Sequence, residues 1–219
     1  MESTRGGVTA GALRGPAGAG KTIGEAGRSL MAIVRDVSWS PSYVAFLVYI
    51  FVIVTYRYPV GQVAMAVALV GLLLEPGRFR MPPFLVWLAA FIFWAGVGYG
   101  QTTYPAIVRE NLDAFVRLWL LALVAVNVLK TGPRIRFFLI FFLVLFVTHP
   151  VRGALFNNFL YGHNVAGRLV WRGVFMNPND LAALTLLPLG IAAGLARDPN
   201  GWIRRGAQLS VALLIGLVL

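Results

Sequence analysis

Three arginines, Arg152, Arg168 and Arg172, lie in a stretch of the chain that carries only one acidic residue, Asp180. A guanidinium group keeps its charge, binds phosphate through two parallel N–H donors and stabilises negative charge on a phosphate leaving group. These residues therefore predict a site for an anionic ligand.

The run Asn177-Pro178-Asn179-Asp180 follows the last arginine and stands directly before an apolar segment. Asn179 or Asp180 is a natural N-cap for a helix that begins there. The N-terminus of that helix would add a partial positive charge and free N–H groups, so that helix and arginines together would form a cradle for pyrophosphate. A second interpretation stays open on the residues alone: a turn with a helix cap, and arginines that extend toward lipid headgroups.

The elements that position these residues must lie in a membrane. The chain has 219 residues, of which 58% are hydrophobic and 12% charged, and its mean hydropathy is +0.76. A soluble domain needs more charged surface, so the apolar surplus faces lipid. The net charge of +11 could indicate nucleic-acid binding. It is better explained by basic residues in the loops between spans, which fix the topology. The absence of cysteine excludes disulfides and thiolate chemistry.

The apolar runs predict an all-α, polytopic transmembrane bundle with about six spans and an incomplete seventh. The runs cover residues 42–56, 60–74, 84–99, 112–129, 135–148, 181–196 and 207–219. The first two are short for a bilayer, which needs about 20 residues per helix, and could form one tight hairpin. The last run reaches only about 20 Å, so we expect the chain to be a fragment of a longer protein.

Polar residues inside the predicted spans have structural interpretations. Asp113 and Arg117 are four residues apart and are expected to pair on one helix face. Asn127 is expected to form hydrogen bonds between helices.

Three regions are predicted along the chain: a disordered tail at 1–22, a candidate interfacial amphipathic helix at 23–40 and the transmembrane domain at 41–219. A solvated helix at 23–40 fits the residues equally well. Residues 15–22 match the P-loop pattern, GPAGAGKT. No strand-like run precedes them, so we predict no nucleotide binding.

Most of the 19 Lys and Arg residues fall on the side of the N-terminus when the spans are assigned to alternate sides. Basic loops stay in the cytoplasm, so the N-terminus is predicted to be cytoplasmic. Residues 149–179 then form the longest loop and face outward.

Residues 168–196, with the run from Arg172 to Asp180 at their centre, resemble the signature of the O-antigen ligase/polymerase family. The remainder of the chain matches that family in hydropathy only. The resemblance implies a multi-pass glycosyltransferase of the bacterial inner membrane. Such an enzyme moves a glycan from undecaprenyl pyrophosphate to a hydroxyl of lipid A core or another glycan at the periplasmic face. It also implies no cofactor, metal, nucleotide or nucleic acid.

The resemblance assigns roles to particular residues. Arg172 matches the arginine beside the signature glycine, and Arg168 could serve instead. The candidates are Arg172 and Arg168 for catalysis and Arg152, Asn177, Asn179 and Asp180 for substrate binding. The family's histidine lies in a later outward loop, and neither His149 nor His163 matches its context.

Two other functional classes stay open. A transporter or flippase for lipid-linked or anionic substrates would use the same arginines, but it would require broken spans and internal symmetry. A membrane assembly partner without catalytic activity would need no substrate.

Overall fold

The computed structural model describes residues 31–56, 59–75, 79–165 and 167–218. The chain divides into two units, Met1–Asp36 and Val37–Leu219. In the first unit, residues 31–36 are helical. The predicted tail at 1–22, the P-loop match and the first part of the candidate interfacial helix lie outside the described residues.

The second unit is built from helices, which confirms the all-α class. In chain order the helices are α1 (Pro41–Thr55), α2 (Gly61–Leu74), α3 (Pro83–Gly98), α4 (Pro105–Val128), α5 (Gly132–Phe146), α6 (Arg152–Phe159), α7 (Pro178–Leu195) and α8 (Gly201–Val218). A minimal antiparallel hairpin, β1 (Asn164–Val165) with β2 (Arg168–Leu169), stands between α6 and α7.

Prolines set several helix starts. Pro41, Pro83, Pro105 and Pro178 each stand in the first turn of their helix, where the missing N–H costs nothing and the fixed φ angle favours helix. The fourth helix consequently begins at Pro105, well before the apolar run predicted at 112–129. Its ion pair between Arg117 and Asp113 confirms the predicted pairing.

Four helices of the described residues are long and apolar enough to cross a membrane: Pro83–Gln101, Pro105–Val128, Gly132–Phe159 and Pro178–Leu195. The prediction of six spans with an incomplete seventh is not confirmed. The first two helices are apolar but only 15 and 14 residues long, and α8 is not among the four. The composition of the four long helices indicates a multi-pass membrane protein in a lipid bilayer.

One of these helices runs further than the sequence predicted. A π-helical turn, Val147–Val151, joins α5 to α6, so the segment Gly132–Phe159 is continuous over 28 residues. Pro150 lies inside it and would normally end a helix, but a π-turn can absorb the lost hydrogen bond. The predicted outward loop at 149–179 is therefore wrong in its first third, which is helical.

Among the described residues the apolar core forms two clusters. In the first, α1 supplies Tyr43 and Phe46, which pack with residues of α2, α4 and α5. The second joins the end of α5 to α7 and α8, with Phe146 and Phe175 among its members. The helix bundle has two ends, which are named here by their arginines. The Arg134 end contains the start of α5. The arginine-loop end lies opposite and contains residues 160–177.

Candidate functional site

The arginine loop, residues 160–177, connects α6 to α7 at one end of the bundle. Arg168 lies on β2, and Arg172 stands directly before a single 3₁₀ turn, Gly173–Met176. The strand β2 packs against both α6 and α7. These contacts hold the loop against the start of a helix that is long and apolar enough to cross a membrane.

Arg168 is held at the start of α7. Its Nη1 donates a hydrogen bond to Oδ1 of Asn179 at 3.1 Å. The backbone N–H of Asn179 in turn donates to Oδ1 of Asn177 at 2.9 Å, which makes Asn177 the N-cap. The prediction that Asn179 or Asp180 is the cap is wrong, because Pro178 occupies the first helical position and moves the cap to the preceding residue.

The other two arginines are exposed. The side chain of Arg172 has no hydrogen bond or ion pair with any residue that the structure describes, although its backbone carbonyl accepts from the N–H of Phe175 at 3.2 Å. The guanidinium carbon of Arg152 lies 5.2 Å from the ring centroid of Phe156, one turn further along α6. The structure thus joins Arg168, Asn177 and Asn179 into one hydrogen-bonded group and leaves the charge of Arg172 unpartnered within the described part of the chain.

The N-terminus of α7 offers less to an anion than the sequence predicts. Pro178 has no N–H, Asn179 donates to the cap, and the N–H of Leu181 bonds to the carbonyl of Asn177 at 3.0 Å. The exposed carboxylate of Asp180 lies in the first turn, where it already complements the helix dipole. The arginine side chains are therefore the main donors for an anion here.

A cluster of aromatic rings supports the backbone on both sides of Arg172. Phe175 is 5% exposed, and its ring centroid lies 6.0 Å from Tyr56, 5.7 Å from Trp171 and 5.9 Å from Phe146. The N–H of Trp171 donates to the carbonyl of Phe175 at 2.8 Å. The backbone of residue 172 consequently lies in a short hydrogen-bonded turn, and the rings of Trp171 and Phe175 at the two ends of that turn are packed.

Two glycines make this packing possible: Gly173, which the sequence marked only as the glycine beside Arg172, and Gly153, which was not singled out. A Cβ at Gly153 on α6 would overlap the indole nitrogen of Trp171. Gly173 has φ +60, and a Cβ there would lie 2.5 Å from Cε1 of Tyr56. The position of Gly173 beside an arginine was the available signal, since glycine tolerates positive φ at tight turns. Gly153 lies inside a helix and gave no signal.

Neither histidine takes part in the hydrogen bonds of the three arginines among the described residues. Oγ1 of Thr148 donates to the carbonyl of Val144 at 2.7 Å, so it accepts from Nδ1 of His149 at 3.0 Å. The His149 ring also packs edge-on against Phe51, at 5.9 Å between centroids. His163 is exposed in the arginine loop.

The Arg134 end holds a buried guanidinium that the sequence analysis did not single out. Nε of Arg134 donates to the carbonyl of Ser38 at 2.8 Å, and Nη1 donates to that of Val128 at 3.1 Å. The charge stacks over the ring of Tyr43, at 5.3 Å, and the Tyr43 hydroxyl donates back to the carbonyl of Arg134. This arrangement joins α1, α4 and α5.

Two further polar contacts join segments of the chain at the Arg134 end. The hydroxyl of Ser42 donates to Glu75 at the end of α2. Burial acts to raise the pKa of Glu75, but hydrogen bonds from Ser40 and Ser42 and the charge of Arg134 outweigh it, so the pKa lies below its ordinary value. The amide of Asn127 bonds the backbone N–H and carbonyl of Arg80 at 2.7 and 2.8 Å, so it links α4 to the segment that enters α3 rather than to a helix.

Comparison with known proteins adds no relative from which a function can be transferred. No family model, no curated protein and no solved structure matched the chain. The resemblance to the O-antigen ligase/polymerase family therefore stays a prediction that depends on the residues around Arg172. The described residues form a helical bundle with an arginine loop at one end, and the length and composition of four helices indicate a membrane protein.

Proposed function

We propose that the arginine loop binds the pyrophosphate of a lipid-linked glycan. On this proposal the chain is the N-terminal part of a glycosyltransferase that moves glycan from undecaprenyl pyrophosphate to an acceptor hydroxyl. The observation that carries the proposal is the exposed guanidinium of Arg172, which has no partner among the described residues although the backbone around it is packed. Such a charge is available to an external anion.

The neighbouring arginine supports a ligand with more than one phosphate. Arg168 uses one nitrogen for the neutral amide of Asn179, and a guanidinium has five N–H donors, so the others remain for a ligand. Its contact with Asn179 limits the conformations of the side chain, which lowers the entropy lost on binding. Arg152, whose charge stacks on Phe156, is a third candidate on the adjacent helix.

The surroundings support a lipid-linked anion rather than a soluble one. The loop connects two helices that are long and apolar enough to cross a membrane, Gly132–Phe159 and Pro178–Leu195. A pyrophosphate at the headgroup level would lie beside the loop while its polyprenyl chain stays in the bilayer.

The chemistry we propose is displacement at the anomeric carbon of the donor. The acceptor oxygen forms a bond to that carbon, the bond from carbon to the pyrophosphate oxygen breaks, and undecaprenyl pyrophosphate leaves. Arg172 and Arg168 would stabilise the charge that develops on the leaving group. The proton of the acceptor hydroxyl passes to a base, which in the resembling family is a histidine of a later outward loop.

The topology of the proposal follows the distribution of basic residues. The Arg134 end would face the cytoplasm of a bacterial cell and the arginine loop the periplasm, with the protein in the inner membrane. The first two helices would then form a short membrane hairpin, and α8 would begin a further span.

The test is the binding of undecaprenyl pyrophosphate to the purified protein in phosphatidylcholine nanodiscs. Hydrogen bonds to charged groups contribute about 1.5–3 kcal/mol, so Arg172→Ala should weaken binding about 10- to 100-fold. Arg172→Lys keeps the charge without the planar pair of donors and should bind with intermediate affinity. Arg205→Ala, at an exposed position of α8 toward the other end, is the matched control and should bind normally.

Equal affinity of the Arg172→Ala variant and the wild type would remove Arg172 from the site and with it the proposal. The class of function needs a second assay, in vesicles that contain a lipid-linked glycan and an acceptor. Transfer of the glycan supports the transferase. Movement of the lipid-linked or anionic substrate across the bilayer without transfer would instead favour a transporter or flippase.

A further inference from the structure

The end of α6 and the turn after it present apolar side chains outward. Phe159 is 76% exposed, Leu160 66% and Tyr161 68%, and Phe156 on the preceding turn is 42% exposed. Contiguous exposed apolar side chains of this kind mark a surface that is covered by lipid or protein.

Asparagine side chains of the same segment form hydrogen bonds within the segment and the loop that follows it. Nδ2 of Asn157 donates to the carbonyl of Val170 at 3.1 Å. Nδ2 of Asn164 donates to Oδ1 of Asn158 at 3.3 Å, and Oδ1 of Asn164 accepts from the N–H of Gly167. These asparagine amides are therefore hydrogen-bonded within the protein, whereas the large apolar side chains of residues 156–161 are exposed. This is the reverse of the pattern expected for a loop in water.

Backbone donors in the turn are satisfied as well. The N–H groups of Leu160 and Tyr161 both donate to the carbonyl of Phe156, at 3.0 and 3.3 Å, and that of His163 donates to the carbonyl of Asn157 at 2.8 Å. Unsatisfied backbone groups make entry into a lipid environment costly. In this turn the hydrogen bonds within the chain remove most of that free-energy cost.

Charge is excluded from the segment and concentrated at its borders. No Asp, Glu, Lys or Arg occurs between Arg152 and Arg168, and the guanidinium of Arg152 lies over the ring of Phe156. Aromatic residues flanked by arginines are typical of the boundary between headgroups and acyl chains, where the charged ends reach the phosphates.

The length of the helix places the segment at that boundary. Arg136, which pairs with Asp198 at 2.8 Å, marks the opposite edge of the continuous helix Gly132–Phe159. Phe156 comes 20 residues later, and at a rise of 1.5 Å per residue this corresponds to about 30 Å, the thickness of the hydrocarbon core. Residues 159–161 follow within the interfacial layer.

We propose that residues 156–161 form a membrane-interface anchor that inserts Phe159, Leu160 and Tyr161 between the lipid headgroups of one leaflet. The occupant of this surface is lipid rather than protein, because the segment continues a membrane-spanning helix and is bordered by cations that complement phosphate. The inference goes beyond the proposed function, since it holds whichever anion the arginine loop binds. It places Arg168 and Arg172 at the depth of the lipid phosphates.

The absence of cysteine allows a direct measurement of depth. A single cysteine at Leu160, or in a second variant at Tyr161, is spin-labelled, and the protein is reconstituted in vesicles of phosphatidylethanolamine and phosphatidylglycerol. Collision with oxygen, which concentrates in the acyl region, is compared with collision with a water-soluble nickel complex. The label on Leu186→Cys, at an exposed position of α7 (62%), provides the hydrocarbon value, and the label on free cysteine in buffer provides the water value.

The anchor predicts a loss of nickel accessibility at positions 160 and 161 relative to free cysteine, with oxygen accessibility that approaches the value at 186. Nickel accessibility equal to that of free cysteine at both positions would overturn the proposal. Low accessibility to both reagents, or spin–spin broadening that disappears on dilution with unlabelled protein, would show that protein covers the surface and would also overturn it.

Discussion

The two ends of the helix bundle use arginine in opposite ways. At the Arg134 end the guanidinium is buried, 9% exposed as a residue, and bonds two backbone carbonyls from other segments. At the arginine-loop end the side chain of Arg172 is exposed and has no partner in the described part of the chain. The first arginine is satisfied by the fold, whereas the charge of the second is left for a ligand or for lipid.

The difference separates a cation whose hydrogen bonds are supplied by the fold from a cation whose donors remain available to a ligand, without reference to sequence motifs. A buried charge is tolerated only when the protein itself supplies its hydrogen bonds, and removing it leaves those partners unsatisfied. An exposed charge contributes little to stability. The two arginines should therefore respond oppositely in measurements of unfolding and of binding.

The largest effect is expected for Arg134→Ala. The substitution leaves the carbonyls of Ser38 and Val128 without their donor and removes the cation over Tyr43, so the free energy of unfolding should fall by about 3 kcal/mol. Arg172→Ala should change it by less than about 0.5 kcal/mol. Unfolding by sodium dodecyl sulfate in mixed micelles measures both. Equal losses for the two variants would break the comparison.

A second prediction concerns the support of the arginine loop from α6. Gly153→Ala places a methyl group against the indole of Trp171, and overpacking of this kind costs about 1–3 kcal/mol. Gly190→Ala on α7, where a Cβ meets nothing within 4 Å, is the control and should be neutral or slightly stabilising. Unfolding measurements quantify the difference, and tryptophan emission should shift in the Gly153 variant alone. An unshifted spectrum with native stability would mean that the ring does not rest on Gly153.

Gly173→Ala tests the turn itself. Alanine at φ +60 costs about 1–2 kcal/mol, and the Cβ contact with Tyr56 at 2.5 Å adds to it, so we expect a loss of about 2 kcal/mol together with weaker binding of undecaprenyl pyrophosphate. Gly162→Ala has φ +64 but an open surrounding; it should incur the backbone cost alone and keep the affinity. Matching losses of affinity in both variants would argue against a role of the Tyr56 contact in placing Arg172.

The smallest effect is a pH dependence at the Arg134 end. The pKa of Glu75 is lower in the folded protein than its ordinary value, so its carboxylate stabilises the fold at neutral pH. That contribution disappears as the pH falls through the lowered pKa. Glu75→Gln should lose less than about 1 kcal/mol at pH 7 and should show a flatter stability profile in acid. A profile that still matches the wild type would assign the acid sensitivity to another group.

The sequence predicted the helical class and the approximate position of each apolar helix, because apolar composition is a local property. It placed the start of α4 too late, since the polar turns around Arg109 and Glu110 are helical but not apolar. It ended the continuous helical segment Gly132–Phe159 too early, at residue 148, since Pro150 normally breaks a helix and the π-turn that accommodates it has no signal in the residues.

The candidate site was predicted in part. The cluster of arginines before α7 could be found from residue types alone. The bond from Arg168 to Asn179 depends on the hairpin β1–β2, which folds the chain back by a register that no pattern of residues revealed. Burial of Arg134 was also not foreseeable, because an arginine near the start of an apolar run is ordinarily placed among headgroups.

The unequal lengths of the apolar helices have a consequence for the surrounding bilayer. Helices of 15 and 14 residues, α1 and α2, extend only about 21–22 Å, against about 42 Å for the 28-residue segment Gly132–Phe159. In the proposed topology α1 and α2 form a membrane hairpin, and valines on both helices, including Val48 and Val67, are exposed. Lipid beside that hairpin would then experience hydrophobic mismatch, and the membrane would thin there by several ångströms, at a cost of fractions of a kcal/mol per ångström. Lipids there would cross a shorter apolar distance than lipids beside α5.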